Sequence, residues 1–150
     1  MKEKNIILGA NIKELSGFQK EKKLKRPLLG ANITAGFPSP AQDYIEKSID
    51  LNEQLISHPV ATFFVRVEGD SMIGAGIFPD DVLIVDRAMN AVDGNVIVAV
   101  LNSELTVKRL KITDKYWSLL PENPAYPEMI ISEDTDFMVW GVVTYCIHKL

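Results

Sequence analysis

The period of apolar and polar positions changes twice along this chain. Over residues 1–35 no period is sustained: Leu15, Phe18 and Leu24 stand isolated among charges, and Gly17, Pro27 and Gly30 interrupt any helix of useful length. Low apolar density with a charge run reads as a mobile arm. At Ser39 the character shifts. Ser39-Pro40-Ala41-Gln42 places an N-cap serine, a proline at the first helical position and a glutamine three residues after the cap. Tyr44, Ile45, Ile49, Leu55 and Ile56 then supply an apolar stripe, so one or two helical pieces are expected between Pro40 and Ile56, stopped by Pro59. From Ala61 onward the pattern is that of strands, over Ala61–Glu68, Val82–Val85, Asn95–Leu101, Glu104–Lys111, Tyr116–Leu120 and Phe137–Ile147. Asn102-Ser103 reads as a tight hairpin turn, and turn clusters at Gly74–Asp81, Asp93-Gly94 and Pro121–Pro127 separate the other runs. The expected fold is mainly β: a compact, antiparallel domain with a short N-terminal helix and an extended N-terminal arm. No internal repeat stands out.

Composition sharpens this division. The 150 residues are 47% hydrophobic and 24% charged, which suits one globular domain with its own core. The net charge of −4 divides unevenly: residues 1–35 hold eight Lys/Arg and three Glu, leaving a body of net −9. A basic run without a recognition fold is a poor nucleic-acid signal, and sequence-specific DNA binding is not expected. No apolar stretch approaches the roughly 20 residues that span a bilayer, and Ile6–Leu8 is too short for the apolar core of a secretory signal. A cytoplasmic location is therefore expected. The single cysteine, Cys146, excludes an internal disulfide framework and reads as a buried structural residue of the last strand. Ala31-Asn32-Ile33-Thr34-Ala35-Gly36-Phe37-Pro38 is small, uncluttered and extended, the kind of backbone a protease binds as a strand.

The candidate chemistry is sparse. His58 precedes a proline in a loop and His148 lies two residues from the C-terminus, so neither sits in the context of a Ser-His-Asp triad, and no Cys or His stands at metal-ligand spacing. No metal or cofactor is expected. Gly69-Asp70-Ser71-Met72 follows a strong strand, where a glycine permits unusual backbone angles and a serine could present its hydroxyl to a carbonyl. A serine without histidine needs another base, and Lys108 is the best placed. It lies mid-strand in Glu104–Leu110, on the face of Thr106 and Leu110 if alternation is regular. Desolvation there, with like-charge repulsion from Arg109, would lower its pKa. On these residues alone, a turn serine and a surface lysine on an edge strand remain open readings.

Taken together and in order, Gly69-Asp70-Ser71-Met72, Ile77–Asp86 and Thr106-Val107-Lys108-Arg109-Leu110 resemble the self-cleaving serine–lysine peptidase domain of the LexA/UmuD family. Phe37–Ala41, Ile49-Asp50-Leu51-Asn52 and Phe137–Val143 are similar to its UmuD branch, and the resemblance runs from about Ala35 to Cys146. It implies Ser71 as nucleophile, Lys108 as general base and Ala35-Gly36 as the scissile bond; the backbone N–H groups of Asp70 and Ser71, near the nucleophile, are the expected oxyanion donors. It further implies an SOS-response homodimer whose arm, residues 1–35, is removed from a peptidase and dimerisation domain, residues 36–150. Cleavage would be stimulated by a RecA–single-stranded DNA filament, and the shortened dimer would serve a UmuC-type Y-family DNA polymerase in translesion synthesis. The competing readings are a non-enzymatic dimeric interaction module and a repressor-type peptidase without its DNA-binding domain.

Overall fold

The computed structural model describes residues 7–8, 12–17, 25–29 and 45–150. The chain forms two compact units, one from residues 1–18 and 58–150, the other from residues 19–57. In chain order the elements are β1 (Ile7–Leu8), β2 (Ile12–Gly17), β3 (Lys25–Leu29), β4 (Ile45–Asp50), α1 (Leu51–Leu55), β5 (Thr62–Val67), β6 (Val82–Asp86), β7 (Val96–Leu101), β8 (Glu104–Ile112), β9 (Trp117–Leu120), β10 (Met129–Ile131) and β11 (Phe137–Ile147). The fold is mainly antiparallel β.

The larger unit is one nine-stranded sheet in the order β10-β9-β8-β7-β11-β6-β5-β2, with β1 added parallel to β8. Its centre is β7, whose β-branched residues alternate into two cores. Val98 and Val100 pack with Val65, Leu83, Val85, Leu105 and Val107, while Ile97 and Ala99 pack with Leu110, Leu119 and Val142. With both faces buried, β7 and β8 are held in register without a slip from Val96↔Arg109 to Leu101↔Glu104. The hairpin between them turns at Asn102 and Ser103, both at positive φ (49° and 71°), as a two-residue turn requires. Long β11 pairs with β7 along its first half and β6 along its second, with register shifts before Gly141 and before Tyr145. A Cβ at Gly141 would lie 2.6 Å from Val85 Cγ1, so only glycine permits this close passage over β6.

The smaller unit pairs β3 with β4 antiparallel, from Lys25↔Asp50 to Leu29↔Ile45. Asp50 then starts α1, its Oδ1 accepting from Asn52 N–H at 2.9 Å. Of the one or two helical pieces expected between Pro40 and Ile56, the described residues hold one, the five-residue α1, while Ile45–Asp50 form a strand instead. The β-branched Ile45 and Ile49 serve a strand once a partner strand is present, which no local period reports. The predicted cap at Ser39-Pro40 and the bond Ala35-Gly36 lie outside the described residues.

A second correction concerns the arm. Ile12–Gly17 form β2, antiparallel to β5, and Ile12 is 2% exposed in the core. The pairing slips between Ile12 and Glu14, a bulge that turns Ile12 and Leu15 inward together although three positions separate them. That irregular spacing hides the strand from a period-2 reading. β10 was also missed, having only three residues inside a turn-rich stretch. If Ile12 is part of the core, Ile12→Ala should cost about 2–4 kcal/mol in urea unfolding. A loss within about 0.5 kcal/mol, the range of a surface change, would mean that β2 is not docked.

Candidate active site

At the end of β5 the chain leaves the sheet through Gly69, at φ 80°, and enters the segment Asp70-Ser71-Met72. Met72 (2% exposed) and Ile77 (4%) anchor this segment in the core, and Ile77 N–H donates to Met72 O. A short 3₁₀ turn, Ile73–Ala75, closes at Gly76 in the left-handed region. Ser71 is therefore fixed between an exposed Asp70 and a buried methionine, and is itself 5% exposed.

The loop after β9 braces this segment. Glu122 N–H donates to Ser71 O (2.8 Å), and Gly74 N–H donates to Glu122 O (2.7 Å). Asn123 Nδ2 donates to Asp70 O (3.0 Å), and Tyr126 Oη donates to Asp70 Oδ1 (2.5 Å). A Cβ on Gly74 would sit 2.5 Å from the Glu122 carbonyl oxygen, so glycine is required for this approach. Glu122 also pairs with Arg109, which donates in addition to Gly94 O. None of these braces was predicted. Pro121–Pro127 reads in sequence as a turn cluster, and no spacing places it against a serine some fifty residues earlier.

Lys108 projects from β8 toward the same point. It stands opposite Ile97 on β7, on the face of Leu110, and is 8% exposed. Its Nζ lies 2.9 Å from Ser71 Oγ, 3.1 Å from Val107 O and 3.4 Å from Thr106 Oγ1. Among the described residues no carboxylate pairs with it. Burial lowers its pKa below the ordinary lysine value, because the ammonium ion loses hydration that three neutral oxygens do not replace. The repulsion expected from Arg109 plays no part: that guanidinium is committed to Glu122 and Gly94, and burial alone is the cause. Ser71 and Lys108 share a cleft of about 340 Å³ with Leu101, Glu104, Leu105 and Met129 among its walls. Among the described residues no acceptor takes the N–H of Asp70 or Ser71, so both amides stay available beside the hydroxyl.

The histidines lie apart from this cleft. His58 Nδ1 is 2.6 Å from Asp86 Oδ2, and His148 Nδ1 is 2.6 Å from Asp81 Oδ1. Two His-Asp pairs therefore exist, and neither lines the serine's cleft. Cys146 corrects the expectation of a buried residue: it is exposed, although Sγ donates to Asp81 Oδ2. Desolvation of the sulfur, with the Asp81 carboxylate beside it, pushes the thiol up to about 12. Among the described residues no helix is long and apolar enough to cross a membrane.

A family profile described as "Peptidase S24-like" matches residues 27–144. The chain belongs to the S24 peptidase family. It is 46% identical to Protein SamA of Salmonella typhimurium over 123 residues, 82% of this chain and 85% of that protein. It is 43% identical to Protein ImpA of Shigella flexneri over 124 residues, 83% of this chain and 84% of the relative. SamA and ImpA are UmuD-like proteins. The LexA repressor of Xylella fastidiosa is 38% identical over 128 residues, 85% of this chain and 59% of the repressor. The match supports self-cleaving serine peptidase activity in general for this S24 chain.

The buried lysine carries a stability signature. Its folded pKa is below its unfolded value, so between the two the unfolded chain binds more protons and stability rises with pH. Urea unfolding from neutral pH up to 10.5 should show the native protein gaining on Lys108→Met as pH rises. Parallel profiles would mean that Lys108 is not desolvated.

Proposed function

We propose that this S24 peptidase cuts its own Ala35–Gly36 bond with Ser71 as nucleophile and Lys108 as general base. The observation that carries the reading is the 2.9 Å approach of a buried lysine, with no carboxylate partner among the described residues, to a buried serine hydroxyl. A neutral amine in that position accepts the Ser71 proton as Oγ attacks the Ala35 carbonyl carbon. The Asp70 and Ser71 amides, for which no acceptor is found among the described residues, receive the developing oxyanion. The lysine, now charged, returns the proton to the Gly36 nitrogen as the C–N bond breaks. Water then attacks the Ser71–Ala35 ester, again giving its proton to Lys108, and releases residues 1–35 with a new carboxylate.

Small side chains at Ala35 and Gly36 allow the backbone to approach Ser71 closely. The setting we propose is the SOS response, as the UmuD-like relatives suggest. RecA–single-stranded DNA filaments would stimulate the cut in the cytoplasm. The product, a homodimer, would serve as accessory to a UmuC-type Y-family polymerase. Removal of the arm takes away a net +5 and leaves a product of net −9, so the cut also changes which partners the surface attracts.

Incubation of the purified protein at rising pH tests the chemistry directly. Because Lys108 must be neutral, the rate should climb from pH 7 toward its folded pKa and then level. Mass spectrometry should find a product beginning at Gly36. Ser71→Ala and Lys108→Ala should each abolish it while retaining the melting transition. Normal cleavage in either variant, or a rate flat from about pH 7 to 10, would refute the assignment.

A further inference from the structure

Both tryptophans of this chain, Trp117 and Trp140, line one recess of about 320 Å³. Arg87, Met89, Asn90 and Val139 are among its other walls. It shares no lining residue with the cleft of Ser71 and Lys108, and the self-cleavage scheme makes no use of it.

Arg87 is held along its whole length. It follows β6 directly, and its main-chain N–H donates to Ala61 O at 2.9 Å. Its stem passes over Gly141, where an added Cβ would come within 3.2 Å of Arg87 Cγ. Nε donates to Trp140 O at 2.9 Å. The guanidinium carbon lies 4.6 Å from the centre of the Trp140 ring and 5.9 Å from that of Phe63. Those two rings meet edge to face at 5.2 Å and belong to the core, so the platform under the cation is rigid. An arginine fixed in this way loses little further freedom when a ligand arrives.

What is left unused is the outer pair of nitrogens. Arg66 pairs with Glu14 and Arg109 with Glu122, whereas among the described residues no acceptor takes either Nη of Arg87, in a body of net −9. A planar fork with free N–H groups on both arms is the geometry that receives a carboxylate through two hydrogen bonds. Beside it, Met89 and Trp117 are each 43% exposed. Arginine, tryptophan and methionine are the residue types enriched in protein interfaces, and the first two dominate their binding energy.

We infer that this recess is a docking site for a partner peptide that sets one Asp or Glu carboxylate on Arg87 and a neighbouring large apolar side chain against Trp117 and Met89. A nucleic-acid strand fits poorly. Arg87 is the sole charged residue lining the recess, and a body of net −9 repels a polyanion. The same repulsion selects an isolated carboxylate over an acidic run. The docking does not depend on the proposed self-cleavage.

Because both tryptophans line the recess, the intrinsic fluorescence of the full chain reads the site directly. The probe is the peptide acetyl-Gly-Asp-Leu-Leu-Gly-amide, titrated into the millimolar range. A saturable change in tryptophan emission is expected. Binding should weaken about tenfold when asparagine replaces the peptide's aspartate, and by about the same factor in Arg87→Met. Arg87→Lys keeps the charge but not the planar fork, so it should also weaken binding, and it serves as the variant should Arg87→Met lose its melting transition. No saturable response, equal affinity for the asparagine peptide, or native affinity in Arg87→Lys overturns the site. Binding of a short oligothymidine in place of the peptide, lost in Arg87→Met, overturns the assignment to a peptide. Sedimentation of native and variant chains decides the remaining alternative: a change of oligomeric state on Arg87→Lys means that a second copy covers the recess, and overturns the partner.

Discussion

The contact between Lys108 and Ser71 is the constraint around which this fold is arranged. An ammonium ion in that position would hydrogen-bond three neutral oxygens, and among the described residues no carboxylate pairs with it. Such a site is tolerable because the amine can shed its proton, and its low exposure depends on the elements around it. Those elements are the central pair β7 and β8, buried on both faces and locked in register by alternating Val and Ile. Stability is given up at one buried lysine, and the rest of the sheet supplies it.

Placing the serine requires a different device. Lys108 is delivered by a regular strand, but Ser71 sits on a loop, and loops do not hold positions to a few tenths of an ångström unaided. Here the brace comes from residues 122–126, which engage the backbone on both sides of Ser71 and tie it through Glu122 to Arg109, the neighbour of the lysine. Both partners of the contact are thus referenced to the same strand. The tight passage of Gly74 over Glu122 shows how little slack this arrangement has.

Much of this was legible in the sequence, and for physical reasons. Strands buried on one or both faces have to carry runs such as Val96–Leu101, and the turn at Asn102-Ser103 has to use residues tolerant of positive φ. The pairing of Ser71 with Lys108 followed from ordered motifs and from the lack of a histidine in suitable context. What stayed hidden was set by long-range contact. β2 is disguised by a bulge, β4 by an apolar stripe that suits a helix equally well, and the brace by its dependence on backbone groups that any residue carries. Arg109 was assigned a repulsive role because Glu122 is distant in sequence. Cys146 was placed inside because its strand is apolar, although the strand emerges at its end.

The central claim is that Lys108 is a desolvated amine poised on Ser71. Selective isotope labelling of lysine side chains, with Lys108→Met used to assign the resonance, allows its titration to be followed directly by NMR. The account predicts one lysine whose midpoint falls clearly below 10.5 while the fold is intact. A Lys108 that titrates at or above that value would contradict it.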